Sequence, residues 1–482
     1  MTNPSLDQPS AVAGPATALP RKLGLFTLAA LIVAWNAPIG AMAGFQQLAV
    51  AFGNGVGAPM ALLVGGAVLF LFSIGFIGMS KYVANPGAYY TYIAQGLGKI
   101  TGLSGAFVAT AAYFLIGVGA NIYLGLIFVD MTKRFFGAPV LNWQIWSLIT
   151  LALVMVLGLL RVDLSMKVIG IMVILECVAV AVWQTAILVK GGPEGYAFES
   201  FTPHSFASGS IGLGVVFGML TMIGFEGGAC FRAETKNPER NVRRATYLAV
   251  AFMGLFYALG CWVYIIAFGP SHVVEAATAD PVGSFFDSVQ AFLGGFFVKL
   301  FTVILVTSQI ASMISIQGNA SRYLFSLGRD GVLSRKFAAV HPRLESPHVS
   351  VLTYAAFALV ASLLIMTTGL DAVQSYAALT GAGIYFLLPL MAVTSIAVMI
   401  YFRRHPEQSP GRWVSIVAPV ISGVALLVLF ALMTGNLRIL AGTSAGAVLA
   451  LVAFAAVALA GILVAIRLKA KRPDAFDSIG TR

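Results

Sequence analysis

The chain has 482 residues, 59% of them hydrophobic and 10% charged, whereas a soluble domain carries about 25% charged residues. That composition excludes a soluble enzyme and points to a protein that crosses a membrane many times. The net charge of +11 takes its meaning from placement. Of the 29 Lys and Arg, all but Lys133, Arg134, Lys190, Lys299 and Arg438 fall in the two terminal tails and in alternate loops. That asymmetry places both termini in the cytoplasm and the chain in the cytoplasmic (inner) cell membrane as a multi-pass protein. No continuous basic face for nucleic acid is present.

In chain order, residues 1–20 are rich in Pro, Ala, Ser and Thr and read as a disordered cytoplasmic tail. They lack the basic start and apolar core of a signal peptide. Twelve apolar segments follow, near 25–50, 58–79, 103–129, 143–160, 165–190, 209–232, 245–269, 294–319, 349–367, 374–402, 414–434 and 443–467. The expected fold is an all-α integral membrane protein of 12 transmembrane helices. A core spans 21–402, with two repeats at about 21–190 and 209–402. Two extra helices occupy 403–467, and a second cytoplasmic tail covers 468–482. An amphipathic stretch from Gly87 to Gly98 reads either as an interfacial helix or as a short re-entrant element.

Segment 1 is interrupted in the run from Trp35 to Gly44, where Pro38 has no amide proton and Gly40 and Gly44 free the backbone. Segment 6 is interrupted from Gly224 to Gly228. Segments 1 and 6 open the two five-helix halves from opposite sides, so the repeats are inverted. Paired interruptions of this kind mark the binding site of a transporter.

Acids sharpen that reading. Of 18, only Glu176 and Glu226 fall deep within a span, where a charge costs about 2.5–3.5 kcal/mol on insertion scales. They are the candidate coupling groups, with a structural acid as the plainer alternative for each. Asp130 ends segment 3 and Asp163 precedes segment 5. All five histidines lie in loops, and Cys177, Cys230 and Cys261 form no ligand pair; neither a metal site nor a disulfide framework is indicated. No catalytic cluster and no cofactor motif is visible, which argues against an enzyme.

The run Gly224-Phe-Glu226 with Glu234-Thr-Lys-Asn-Pro-Glu-Arg240 and Arg243-Arg244-Ala245 resembles a signature of the amino acid–polyamine–organocation (APC) superfamily. Asn85-Pro-Gly-Ala-Tyr-Tyr-Thr-Tyr92 and Asn319-Ala-Ser-Arg-Tyr-Leu-Phe325 with Gly328-Arg-Asp-Gly331 are further matches. The resemblance implies a leucine-transporter-type 5+5 inverted repeat, helices 1 and 6 discontinuous, and alternating access. It implies that the unwound segments bind the substrate backbone, here at Ile39, Gly40, Ala41, Met42, Ala43, Gly44, Ile223, Gly224, Phe225 and Gly227. The amides from about Ala41 to Gly44 suit a carboxylate; the carbonyls of Ala37, Ile223 and Gly224 suit an ammonium group.

Asn121 reads as a substrate contact or as an interhelical contact, Phe225 as an aromatic lid, and Phe217 as facing lipid. In the arginine/agmatine branch of the superfamily, pocket tryptophans align with Leu220 and Ile316, which disfavours that exchange. Glu176 aligns where many proton-coupled relatives carry lysine. It could carry a proton, pair with a cation, or bind sodium together with Thr307, Ser308 or Ser312. An ion pair of the basic loop after segment 6 with Glu234 or Asp330 is a further expectation.

The function expected is secondary active transport of an amino acid by alternating access, with a proton as the coupling ion. An amine or polyamine carrier, an exchanger and sodium-coupled symport stand as alternatives. Oligomeric state is open.

Overall fold

The computed structural model describes residues 23–83, 89–160, 166–230, 232, 235–344 and 346–480. The tail at 1–20, the Asn85–Ala88 part of the second motif, Asp163, Ser165, Glu234 and residues 481–482 lie outside the described residues. The described residues are mostly helical. The one bridge between extended segments joins Leu23 to Thr235, next to the bond from Lys236 N–H to the Leu23 carbonyl at 2.8 Å. Nine helical runs among the described residues are long and apolar enough to cross a membrane, the first being the 56-residue run Leu25–Ser80. Helices suit that setting because each satisfies its own backbone polar groups where no water is available.

We label the apolar helices α1 (Leu25–Ala34 and residues 38–54), α2 (Ala58–Ser80), α3 (Lys99–Phe136), α4 (Trp143–Leu159), α5 (Met166–Lys190) and α6 (Ile211–Leu220, resuming at Gly227–Cys230). The rest are α7 (Pro238–Phe268), α8 (Gly295–Arg329), α9 (His348–Met366), α10 (Ala372–Arg404), α11 (Trp413–Gly435) and α12 (Ser444–Lys471). Several overrun the apolar windows read from the sequence. At 38 residues, α3 is about 57 Å long, more than a bilayer core needs, and its last turn carries Lys133 and Arg134.

The ends are set by local chemistry. Asn142 caps α4 through Ile145 N–H at 3.0 Å, Asp371 caps α10 through Gln374 N–H at 2.8 Å, and Thr443 caps α12 through Gly446 N–H at 3.0 Å. Gly137, at φ +83°, ends α3.

The helices meet through small residues, as expected where lipid is as apolar as leucine and close van der Waals approach drives association. A methyl group added to Gly66 of α2 would lie 3.1 Å from Cα of Gly254 in α7, and one added to Gly461 of α12 would lie 2.6 Å from Cα of Ser104 in α3.

Two features were not legible as apolar segments. Between α7 and α8 lie the helices Val273–Ala279 and Pro281–Leu293; the second buries Val282, Phe285, Phe286 and Val289. Arg134 of α3 holds it, donating to the Gly283 carbonyl at 3.0 Å and to Asp287 at 3.1 Å while pairing with Asp130 at 2.7 Å. The amphipathic stretch forms the helix Tyr89–Leu97, with every residue from Tyr89 to Ala94 buried. It packs into the protein against α3 and α10; it does not lie on a lipid surface.

Gly96 is where that helix touches α10, since a methyl group there would overlap the Ala397 carbonyl. Gly96→Ala is therefore expected to lower stability by about 1–3 kcal/mol, measured as a reduced thermal midpoint of the detergent-purified protein.

Candidate functional site

The two interruptions lie side by side. In α1 the helix tightens as the amides of Asn36 and Ala37 turn back to the carbonyls of Val33 and Ala34, both at 3.1 Å. Ala37 then takes a left-handed conformation at φ 47°, and Pro38 starts the second half. In α6 the first half ends at Leu220, Gly224 sits at φ +101°, and helix resumes at Gly227. A methyl group on Gly224 would overlap the indole of Trp35. The break in α1 thus lays its aromatic side chain on the glycine of the break in α6.

Each break is held by one of the two membrane carboxylates. Glu226 is buried; it accepts from the Gly224 amide at 3.0 Å and from the Tyr113 hydroxyl of α3. Tyr113 also meets the Trp35 ring edge-on at 6.4 Å and stacks on Tyr323 of α8 at 5.5 Å. Glu176, on α5, is 2% exposed; one oxygen accepts from the Ile39 amide at 3.2 Å and the other from the Ser308 hydroxyl at 2.5 Å. Its carboxylate therefore sits at the N-terminus of the second half of α1, where the positive helix end favours an anion.

Several expectations change at this point. The amides of α1 left without a helical partner are those of Ile39 and Gly40. They precede the expected Ala41–Gly44, because the Ala41 amide already bonds to the Ala37 carbonyl at 3.0 Å. The Gly224 carbonyl likewise accepts from Gly227 at 3.0 Å. Gly40 and Gly44 admit neighbouring side chains: their carbonyls accept from the hydroxyls of Tyr123 and Tyr376, each at 3.0 Å. Met42 packs on Gly260 of α7, and Ile39 and Ala43 are buried in the core.

Asn121 spans to α4, donating to the Ser147 carbonyl at 2.9 Å and accepting from Thr150 at 3.2 Å, so it is an interhelical contact. Phe225 packs against Phe72 and Phe76 of α2 at 5.9 and 6.2 Å and does not line the cavity described below. Phe217 is fully buried against Phe52 and does not face lipid. Ile223 is buried, and Gly227 meets nothing within 4 Å of an added methyl group.

Of the three hydroxyls considered for sodium, Thr307 is exposed and bonds back to Val303 and Ile304, which removes it from the set. Ser312 donates to the Trp35 carbonyl at 2.9 Å, and Ser308 alone reaches Glu176. No group of three or more His, Cys, Asp or Glu that could hold a metal occurs among the described residues.

Between the breaks, α3 and α8 lies a small cavity of about 30 Å³, room for a water or two. Its polar lining comes from Trp35, Asn36, Thr221, Gln309 and Ser312, its apolar lining from Phe45, Ala120, Leu220, Met313 and Ile316. Leu220 and Ile316, the positions of the aligned tryptophans, both face it. No charged side chain lines it. Gln309 lies against Gly40, 2.9 Å from where a Cβ would stand. The indole nitrogen of Trp35 is buried without a hydrogen-bond partner. Among these, Trp35 falls within the interrupted run read from the sequence, and Gln309 is an amide in an apolar segment, a signal that was open to view. Phe45 and Met313 carried none.

A family model described as amino acid permease matches residues 23–466. The branched-chain amino acid permease BcaP of Bacillus subtilis is 24% identical over 441 residues, covering 85% of this chain and 86% of that protein. The low-affinity putrescine importer PlaP of Escherichia coli K12 is 24% identical over 318 residues, covering 63% of this chain and 67% of that protein. Among solved structures, a mutant form of the manganese transporter of Eremococcus coleocola superposes with a TM-score of 0.61 at 13% identity, covering 96% of this chain and 98% of that one. That likeness concerns the fold alone.

Gly224→Ala forces a side chain into a left-handed backbone and onto Trp35, and is expected to destabilise by about 1–3 kcal/mol. Gly227→Ala is the matched control and should stay within about 0.5 kcal/mol of the parent. Thermal midpoints of the two purified variants check both.

Proposed function

The chain belongs to the amino acid permease family, and from that premise we propose that it imports a neutral amino acid with a small apolar side chain, coupled to a proton, by alternating access. In the coarser sense it is a multi-pass secondary transporter of amino acids or amines. The finer reading rests on one observation: a cavity without charged side chains at the junction of two helix breaks, each break held by a buried carboxylate. Leu220, Met313 and Ile316 offer an apolar wall, and Gln309 and the Gly40 backbone offer the polar end. We take the framework to be twelve spans in a 5+5 inverted repeat with two added helices, in the cytoplasmic membrane with both termini inside. The interruptions of α1 and α6 at matching places support it.

Coupling follows from competition for one helix terminus. The second half of α1 has two free amides, and Glu176 holds one of them. A substrate carboxylate docking there would stand close to the Glu176 carboxylate. Two such charges about 4 Å apart repel by about 4 kcal/mol at a protein-like dielectric. Protonation removes the repulsion and weakens the hold on Ile39, so a proton on Glu176 and a substrate carboxylate on α1 arrive together. Glu226, tied to Gly224 and Tyr113, positions the α6 break. A dicationic amine finds no acid on the cavity wall, which ranks that reading second. With Thr307 facing outward, sodium has few oxygen ligands near Glu176.

Leucine uptake into proteoliposomes is accordingly expected to rise as the outside pH falls, to follow an imposed pH gradient and to ignore a sodium gradient. Glu176→Gln, a stand-in for the protonated acid, should keep leucine counterflow and lose the pH-driven accumulation. Retained accumulation in that variant, or inhibition of the parent by putrescine and by no amino acid, would overturn the reading.

Ile316→Ala opens space in the cavity and is expected to shift the phenylalanine-to-leucine uptake ratio by about tenfold. Competition by unlabelled amino acids measures it.

A further inference from the structure

Residues 473–480, which follow α12, are built into the body of the protein. After α12 a short helix, Pro473–Ser478, turns back, and Ser478, Ile479 and Gly480 are buried, Ile479 to 1% exposure. These residues meet three elements at one junction. At the end of α8, the Ser478 hydroxyl donates to the Asp330 carbonyl at 2.7 Å and the Gly480 amide donates to the Asp330 carboxylate at 3.1 Å. At the start of α3, Lys99 pairs with Asp477 at 2.7 Å and donates to its carbonyl at 2.9 Å. On the helix Tyr89–Leu97, Gly480 sits against Thr91 and Ala94.

The same junction connects to the substrate site. The carboxylate oxygen of Asp330 that accepts from Gly480 also accepts from the Tyr90 hydroxyl at 3.3 Å. Tyr90 faces Tyr323 at 6.4 Å, and Tyr323 stacks on Tyr113, the partner of Glu226. A column of tyrosines therefore runs from the α6 break to Asp330, which Ser478 and Gly480 contact. The helix carrying Tyr90 is nine residues long and joins α3 through Gly98 at φ +99°, a backbone conformation that glycine adopts without steric cost.

We propose that residues 473–480 are an autoinhibitory latch. Docked, they pin the helix Tyr89–Leu97 and the end of α8 around Asp330, and so close the tyrosine column on that face. Released, they free Tyr90 and Asp330 to part, and the cavity opens toward the face on which α1 begins. Gating of this kind sets the rate of a transport cycle without touching substrate. Exposed ion pairs contribute little, so Lys99–Asp477 guides the docking, and the buried Ile479 with the bonds to Asp330 holds it.

The proposal goes beyond the transport reading and borrows from it only leucine as a probe. In the double variant Ala94→Cys, Gly480→Cys, the two Cβ positions are 3.2 Å apart in the docked form, within reach of a disulfide after a small shift. Oxidation is expected to reduce leucine uptake in proteoliposomes by at least about tenfold, and dithiothreitol to restore it. Oxidised parent protein controls for Cys177, Cys230 and Cys261. Wild-type uptake in the cross-linked protein overturns the latch, and so does failure of the pair to cross-link.

Truncation after Arg472 is expected to speed uptake at unchanged KM. It should also accelerate amide hydrogen exchange over residues 89–97 while the core helices remain protected. Unchanged exchange there overturns the latch whether or not leucine is a substrate. If neither oxidised nor reduced protein moves leucine, the transport reading fails and the exchange measurement still decides the latch.

Discussion

The architecture depends on how two interrupted helices satisfy their backbone inside an apolar medium. An amide or carbonyl left open there costs several kcal/mol. In α1 the open amide of Ile39 is met by Glu176 and the open carbonyl of Trp35 by Ser312. In α6 the open amide of Gly224 is met by Glu226. The two carboxylates are thus counterparts: each is costly alone in a membrane, and each is stabilised by the helix terminus it caps. Removing either acid would orphan an amide, and closing either break would take a backbone donor from an acid.

This mutual dependence ties helices distant in sequence into one site. Glu176 brings α5, α1 and α8 together; Glu226 brings α6 and α3 together, with Trp35 laid across the seam. A solute entering between the breaks must compete for groups already engaged. An aromatic column continues from Tyr113 through Tyr323 and Tyr90 to Asp330, which Ser478 and Gly480 also contact.

Much of this was legible in the chain. Hydropathy located the apolar helices, because about twenty apolar residues are required wherever a helix crosses a bilayer. Pro38, Gly224 and the two lone acids marked the breaks, because such residues are tolerated at that depth only with partners. The expected amides were displaced by a few residues, since the start of the second half of α1 was taken from the glycines and is in fact set by Pro38. Phe225 and Thr307 lie away from where they were expected, and Asn121 takes the interhelical of its two readings, for one reason. Helical periodicity gives a residue's angular position, whereas its neighbours depend on which helices lie on that side. Asn121 faces α4, Phe225 faces α2, and Thr307 faces outward.

The sequence alone therefore determined that this is a multi-pass membrane protein with two broken helices and two buried acids, because each of those facts follows from the cost of placing a given residue in lipid. Which amide each acid serves, which side chains wall the cavity, and that residues 473–480 return to Asp330 were decided only by the tertiary structure. Ile39 and Glu176 are 137 positions apart in the chain, and Asp330 and Gly480 are 150 apart. Neither periodicity nor composition carries information about distance across a fold.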